Sequence, residues 1–437
     1  MGREDQARAA ALHALDTWEQ HRSPTDELIA ELDAALTDDR DRRFARQLVL
    51  GTLRWRLRLD WIIGHFSRPS VAELEPRVLN ILRLGILQIH FMDRVPERAA
   101  IHTCVELAKR HGARAASGLI NAVLRSFQRQ PNRVRFPDPT SDTVRYLSLY
   151  YSHPEWLVER WRQRWDTEFV RQILETNNTP SPLWLRLNPL RSSAEELCAQ
   201  IDLDAGPAGY FRARVAHQAL HSAAYTAGHF QIQDPSAGLA VTLLAPQPGE
   251  RVLDACSAPG GKATQIAERM NDTGLVAAAD VSATRLQRLR ENIARLGLRS
   301  VHPVVSDAGQ SGLGPFDRVL VDVPCSGTGI IGRHPDARWN RAPEQLADLV
   351  QRQRTILSTA YTQLRPGGTL VYSTCSLERE ENEDVVEWFL ERTPSAHIED
   401  AQAYLTTDGS AARYVQTIPG HHSGDGAFAA RIHKVNP

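Results

Sequence analysis

Apolar residues recur at helical spacing through the first part of the chain. Val78, Leu82, Ile86 and Ile89 fall on one face, and Ile101, Val105 and Ala108 on another, a period that predicts amphipathic helices. Residues 1–135 therefore read as an all-helical domain. Met1-Gly2-Arg3-Glu4-Asp5 leads into such a helix rather than into the apolar core of a targeting segment. Pro131, Pro137, Pro139 and Pro154 then punctuate the chain, and residues 136–154 read as a linker. An aromatic-rich helix is predicted from Pro154 to Leu174. Leu183-Trp184-Leu185-Arg186-Leu187 alternates like a strand, and Ser193 followed by Glu196 is a capping box. Residues 155–230 read as a small α+β subdomain.

After Arg251 short apolar runs alternate with helical ones. Val252-Leu253 precedes a helix from Lys262 to Met270, and Leu275–Ala279 precedes a helix from Ala283 to Leu296 that Gly297 stops. Val301–Val305, Arg318–Val321 and Thr369–Ser373 are further strands. This alternation predicts βα units on a parallel sheet, so residues 231–437 read as a Rossmann-like α/β domain. Ligands of such sheets bind outside the carboxyl ends of the strands. Asp254, Asp280, Asp307, Asp322 and Cys375 all fall there.

Composition narrows the classes. The chain has 437 residues, 42% hydrophobic and 24% charged, with a net charge of −1. These are globular values, and nucleic-acid binding would need a local patch rather than a global field. Two patches qualify. Lys109, Arg110, Arg114, Arg125, Arg129, Arg133 and Arg135 occur between Leu107 and Arg135 with no Asp or Glu, and Arg54-Trp55-Arg56-Leu57-Arg58 is a second run. Solvated helix faces and a phosphate-contacting surface are both open readings. No apolar stretch is long enough to span a bilayer. The five cysteines are odd in number and far apart, with no C-x-x-C pair, which fits a reducing cytoplasm and no zinc site.

The candidate chemistry lies at the strand ends. Cys256-Ser257-Ala258-Pro259-Gly260-Gly261-Lys262 joins a strand to a helix, so that free N–H groups point at a ligand. It is neither G-x-G-x-x-G nor a P-loop, because Ala258-Pro259 stand where the first glycine of a P-loop is needed. Lys109, Lys262 and Lys434 are the only lysines among 51 basic residues, which suggests that a compact ammonium is wanted at the turn. Asp280, about 20 residues on, suits paired ribose hydroxyls, and Asp307 could accept from the amine of adenine. Together they make an adenosine site. Asp322-Val323-Pro324-Cys325-Ser326-Gly327-Thr328-Gly329 is a stiff loop bearing a carboxylate and a thiol, and Thr374-Cys375-Ser376 puts a second thiol at the next strand end. Methylation of a pyrimidine carbon fits this set. A thiolate adding at carbon 6 of cytosine makes carbon 5 nucleophilic, a carboxyl group near ring nitrogen 3 helps by protonating or hydrogen-bonding it as charge develops, and a base removes the carbon 5 proton. Residue chemistry leaves either thiol open as the nucleophile.

Ala255 to Lys262, Asp322 to Gly327 and Thr374 to Ser376 resemble the S-adenosylmethionine loop and the two cysteine motifs of the RNA cytosine-C5 methyltransferases of the Nol1/Nop2/Sun family. Ser257 stands where alanine is usual and Ala263 where threonine is usual. The resemblance implies that S-adenosylmethionine is the cofactor, that Cys256 to Lys262, Asp280, Asp307 and Asp322 are cofactor-site positions, that Cys375 is the nucleophile, and that Cys325 assists proton removal or product release. Asp322 would also face the cytosine. Val95-Pro96, Ala99-Ala100-Ile101, Val105 to Lys109 and Ile120 to Arg125 resemble the helical domain of NusB, whose relatives bind RNA. Together the parts are similar to the Sun-type 16S rRNA methyltransferases of bacteria. This implies a monomeric, metal-free cytoplasmic enzyme acting on 16S rRNA in naked or partly assembled small subunits. The rivals are the same chemistry on tRNA, a non-catalytic ribosome-assembly factor, and a nicotinamide-dependent oxidoreductase, which the missing glycine fingerprint disfavours.

Overall fold

A computed structural model describes residues 3–405 and 413–436; Met1 and Gly2 lie outside the described residues. The chain divides into two compact units. One comprises Met1–Thr179 and Ile331–Arg341, the other Pro180–Ile330 and Ala342–Pro437.

The first unit is helical. Its longest helix, Asp39–Phe66, starts where the Asp38 carboxylate accepts from the amides of Arg40 and Asp41, satisfying N–H groups that have no partner inside the helix. Val78, Leu82 and Ile86 of helix Pro76–Phe91 are buried, as the spacing predicts, and pack with Leu48, Ile62, Ile120 and Leu124 in one core. Each such side chain contributes roughly 1.5–3 kcal/mol on burial.

Three readings of this region change. The segment 136–154 contains a helix, Thr143–Tyr151, with Leu147 and Leu149 buried; Pro137 and Pro139 precede it and Pro154 follows it. The single helix expected from Pro154 to Leu174 is two, Glu155–Arg164 and Thr167–Asn177, because the Asp166 carboxylate caps the second by accepting from the Phe169 amide. The run Arg54 to Arg58 is turned inward. Arg54 donates to the Gly332 carbonyl, Arg56 to Glu19, and Arg58 to the Tyr150 carbonyl. It is therefore neither a solvated face nor a phosphate surface. The basic residues of the run from Lys109 to Arg135 are exposed.

Ile331–Arg341 joins this unit through Arg338, which is 1% exposed. Its guanidinium donates to the carbonyls of Arg54, Ser152 and Asn177 and to the side-chain oxygen of Asn178, at 2.9–3.2 Å. Trp339 donates its indole N–H to the Leu53 carbonyl. Carbonyl acceptors neutralise no charge, so burial drives the Arg338 pKa well below its usual value, with the Arg54 charge adding to the effect.

The second unit carries two sheets. The smaller has β1 (Trp184–Leu187), β2 (Leu203–Ala205), β3 (Tyr210–Ala213) and β4 (Phe230–Ile232), antiparallel in the order β2-β3-β1-β4. The Ser193–Glu196 capping box opens the helix between β1 and β2. The larger has β5 (Arg251–Asp254), β6 (Leu275–Asp280), β7 (Val301–Val305), β8 (Phe316–Asp322), β9 (Leu364–Thr374), β10 (Ala396–Ile398), β11 (Val415–Thr417) and β12 (Ala427–Lys434). Its order is β10-β12-β9-β8-β5-β6-β7, with β11 beside β12. β5 to β9 are parallel, and β12 runs antiparallel between β9 and β10. The order reverses between β5 and β8, the switch point at which such sheets open a crevice for ligand. β5, β6 and β8 are nearly continuous apolar runs, as strands covered on both faces must be.

Candidate active site

The turn after β5 is pinned to its neighbours. The Ala255 amide donates to the Leu320 carbonyl on β8, the Ser257 amide to the Ala279 carbonyl on β6, and the Ala258 amide to the Asp280 carboxylate. Gly260 has φ +102°, and a Cβ there would meet Leu289 Cδ1 at 2.2 Å, so only glycine fits. Helix Gly261–Arg269 starts at once. Lys262 Nζ reaches across the switch point to Asp322 Oδ2 at 2.7 Å, while Ser373 Oγ donates to Asp322 Oδ1 at 2.8 Å. Burial alone would push the Lys262 ammonium down. The Asp322 carboxylate more than offsets that, with Asp254 and Cys375 adding, and the pKa lies above its usual value.

Asp254 ends β5 fully buried, with the Ser257 hydroxyl beside it and no other donor within hydrogen-bond reach of its carboxylate oxygens among the described residues. Burial, reinforced by the Asp322 and Asp280 charges and opposed by Lys262, pushes its pKa up to about 7. A buried carboxylate short of donors beside a glycine turn is an acceptor that the cationic ammonium of a ligand would satisfy. Asp280 is buried, and its oxygens accept from the amides of Ala258 and Ser282. Asp307 lies exposed beyond β7 and caps its own turn by accepting from the Gly309 amide. Cys256 is held as a thiol, its pKa raised by burial.

The two thiols meet. Cys325 Sγ and Cys375 Sγ are 3.2 Å apart, at the ends of β8 and β9. The approach is backbone-tight. The Gly329 amide donates to the Cys375 carbonyl, the Gly426 amide donates to the Gly329 carbonyl, and a Cβ on Gly329 would sit 2.6 Å from the Gly426 oxygen and 2.8 Å from the Cys375 oxygen. The Cys375 sulfur, with burial adding, holds the Cys325 pKa well above that of an ordinary thiol. Cys375, Lys262 and Asp322 line one narrow cavity of about 60 Å³, closed by Asp234 and Asp425; Cys325 is not on its wall.

Sequence reasoning missed Glu381. It is fully buried, and its carboxylate accepts from the Ser326 amide, the Ser326 and Ser376 hydroxyls and the Gln353 amide. Ser326 and Ser376 each follow one of the cysteines, so one carboxylate ties both thiol-bearing loops. In the sequence it hides in the acidic stretch Glu378-Arg379-Glu380-Glu381. Asp254, legible as a strand end, also lay outside the predicted binding set.

This fold and site define an S-adenosylmethionine-dependent methyltransferase. Three family models match the chain: 16S rRNA methyltransferase RsmB/F over residues 241–433, the NusB family over 5–129, and an RsmF/B-like ferredoxin-like domain over 153–209. The chain is 33% identical to the probable ribosomal RNA small subunit methyltransferase B of Bacillus subtilis, covering 98% of each chain. It is 35% identical to the ribosomal RNA small subunit methyltransferase B of Salmonella paratyphi A, covering 99% of this chain and all of that one. A methyltransferase homologue from Pyrococcus horikoshii of known structure is 28% identical, with a TM-score of 0.59 over 68% of this chain and all of that one. The chain belongs to the ribosomal RNA small subunit methyltransferase B family. Its cofactor is S-adenosylmethionine. Among the described residues, no helix is long and apolar enough to cross a membrane.

Proposed function

We propose that the chain methylates carbon 5 of a cytosine in 16S rRNA through a covalent adduct with Cys375. The observation that carries this is the pair of thiols 3.2 Å apart beside the Lys262–Asp322 pair. Simple methyl transfer to a nitrogen or oxygen needs no second thiol.

The roles follow from the surroundings. Cys375 lines the cavity with Lys262 and Asp322, which puts its sulfur beside the cofactor turn, and the attacking form of a thiol is its thiolate. Cys325 keeps its proton while Cys375 is charged. The Cys375 thiolate adds to carbon 6 of the ring. S-adenosylmethionine supplies the electrophilic methyl, which carbon 5 takes up. Bonding carbon 6 removes the charge on Cys375, and with it the main cause that raises Cys325. Cys325 can then release its proton to solvent and accept the one leaving carbon 5, as Cys375 is expelled and the ring regains aromaticity. Asp322, fixed by Lys262 and Ser373, accepts from the exocyclic amine beside nitrogen 3, and the Lys262 ammonium offsets the negative charge that develops on the ring. Asp280, which already holds the cofactor turn, and Asp307, at the outer strand end, serve the adenosine part of the cofactor.

The base must leave its stack to reach Cys375, so naked or partly assembled small-subunit rRNA in the cytoplasm, met by a monomer of this chain, is the proposed substrate. The exposed basic residues from Lys109 to Arg135 supply cations for its phosphates. Incubation with methyl-labelled cofactor and unmodified 16S rRNA or tRNA, followed by nucleoside mass spectrometry, tests this. Labelled 5-methylcytosine is expected from 16S rRNA. Label confined to tRNA would overturn the substrate, and label on another nucleoside would overturn the chemistry.

A further inference from the structure

Ser236 and Leu239 of helix Pro235–Leu244 line the thiol cavity and also a second, larger cavity of about 630 Å³. Ala208 and Tyr210, in and beside the turn before β3, and Gln265, Glu268 and Arg269 of helix Gly261–Arg269 form its other walls. This size lies within the range of sites for small organic ligands.

The cavity is built for a flat, partly polar ligand. Arg186 donates to both oxygens of Glu268, at 3.0 and 2.8 Å, so the buried charges cancel and a phosphate would gain little there. Arg186 also donates to the Gly261 carbonyl, which fixes this wall to the cofactor helix. Gln265 is 4% exposed, and its side-chain oxygen has no partner among the described residues. A buried acceptor left unsatisfied costs about 1–3 kcal/mol, which a ligand N–H would recover. The Tyr210 ring and the Leu239 side chain supply apolar surface. Single-stranded RNA is read by this combination, stacking on the base face and hydrogen bonds to its edge.

Resting on the function proposed above, we infer that this cavity receives a nucleobase of the RNA flanking the target cytosine, stacked beside Tyr210 and donating an edge N–H to Gln265. The shared wall makes the two cavities neighbours, as successive bases of one strand must be.

The test uses a 16S rRNA fragment holding the methylated cytosine, with an abasic residue placed in turn at each flanking position. The full-length chain is compared with Ala208→Trp, which fills the mouth from an exposed position, and with Gln265→Met. We expect one abasic position to lower kcat/KM of the wild type about tenfold, within the worth of stacking one base. Ala208→Trp should lose a similar factor on intact RNA and nothing further on that abasic RNA. Gln265→Met should lose a smaller factor, and the Kd for S-adenosylmethionine should stay unchanged in both. A wild type indifferent to every flanking abasic residue, or an Ala208→Trp variant with wild-type kcat/KM, overturns the subsite. If the wild type methylates no cytosine of the intact RNA, the function proposed above fails first, and the inference with it.

Discussion

Removing the Glu381 carboxylate should cost activity far more than stability explains. The carboxylate accepts four hydrogen bonds, from the Ser326 amide at 2.8 Å, the Gln353 amide at 2.9 Å and the hydroxyls of Ser326 and Ser376. Hydrogen bonds to a charged group are worth about 1.5–3 kcal/mol each. In Glu381→Ala the hydroxyls, already 3.0 Å apart, can turn to each other, and Gln353 keeps its bond to the Pro324 carbonyl. The loss therefore falls short of four full bonds, and we work with about 3–5 kcal/mol. Activity depends on a different quantity, the 3.2 Å between the sulfurs. Releasing Ser326 and Ser376 lets the loops drift, and a misplacement of about 1 Å can cost on the order of 100-fold in rate. Glu381→Gln separates geometry from charge. Its oxygen can still accept from Ser326 and Gln353, and its amide can donate to both hydroxyls, which can accept; it should lose about 1–2 kcal/mol and less than tenfold in kcat. Urea unfolding gives the stabilities, and single-turnover methyl transfer to 16S rRNA gives the rates. Wild-type rates in Glu381→Ala would refute the reasoning, and so would a Glu381→Gln variant as slow as Glu381→Ala.

Asp254 makes cofactor binding depend on pH. Its folded pKa is raised from 3.8 to about 7, so between those values the ligand-free protein holds a proton that the unfolded chain has lost, and this group's contribution to stability falls as pH rises through that window. A cationic ligand favours the carboxylate and expels the proton. Affinity for S-adenosylmethionine should thus rise up to tenfold per pH unit below pH 7 and flatten above it. Calorimetric titration of Asp254→Asn should give a flat profile, and the wild-type slope in that variant would refute the assignment. In the helical unit, Arg338→Met removes four hydrogen bonds from a fully buried guanidinium and leaves its carbonyl acceptors unpaired, for about 3–5 kcal/mol. Thermal unfolding checks this, and a melting temperature equal to that of the wild type would contradict it.

Strands β5, β6, β8 and β9 were legible because each announces itself twice, by an apolar run and by the polar residue that ends it, whereas β10, β11 and the antiparallel β12 were not read from the sequence. Gly297 stops its helix in the left-handed region, at φ +70°, as the sequence pattern implies. The glycine turn, both thiols and the Lys262–Asp322 pair sit where strand ends must bring them. What stayed hidden depends on distant partners. Glu381 looks like a solvated acid until Ser326, 55 residues away, packs against it. Arg186 is buried by partners 47 to 82 residues on, Gln233, Gly261, Thr264 and Glu268. The inward Arg54 run was ambiguous for the same reason: helix Asp39–Phe66 is covered on several sides, including by Ile331–Arg341, whose contacts with it span as many as 286 positions. Local period reports one buried face, and it cannot report a second.

In the proposed reaction Cys375 attacks the base and Cys325 releases it. The direct measurement is a denaturing gel of wild type, Cys375→Ala and Cys325→Ala after incubation with unmodified 16S rRNA and methyl-labelled S-adenosylmethionine. Cys375→Ala should transfer no label, and Cys325→Ala should give a slow-migrating covalent protein–RNA band. A covalent band from Cys375→Ala would exchange the two roles, and full turnover by both variants would contradict the covalent mechanism itself.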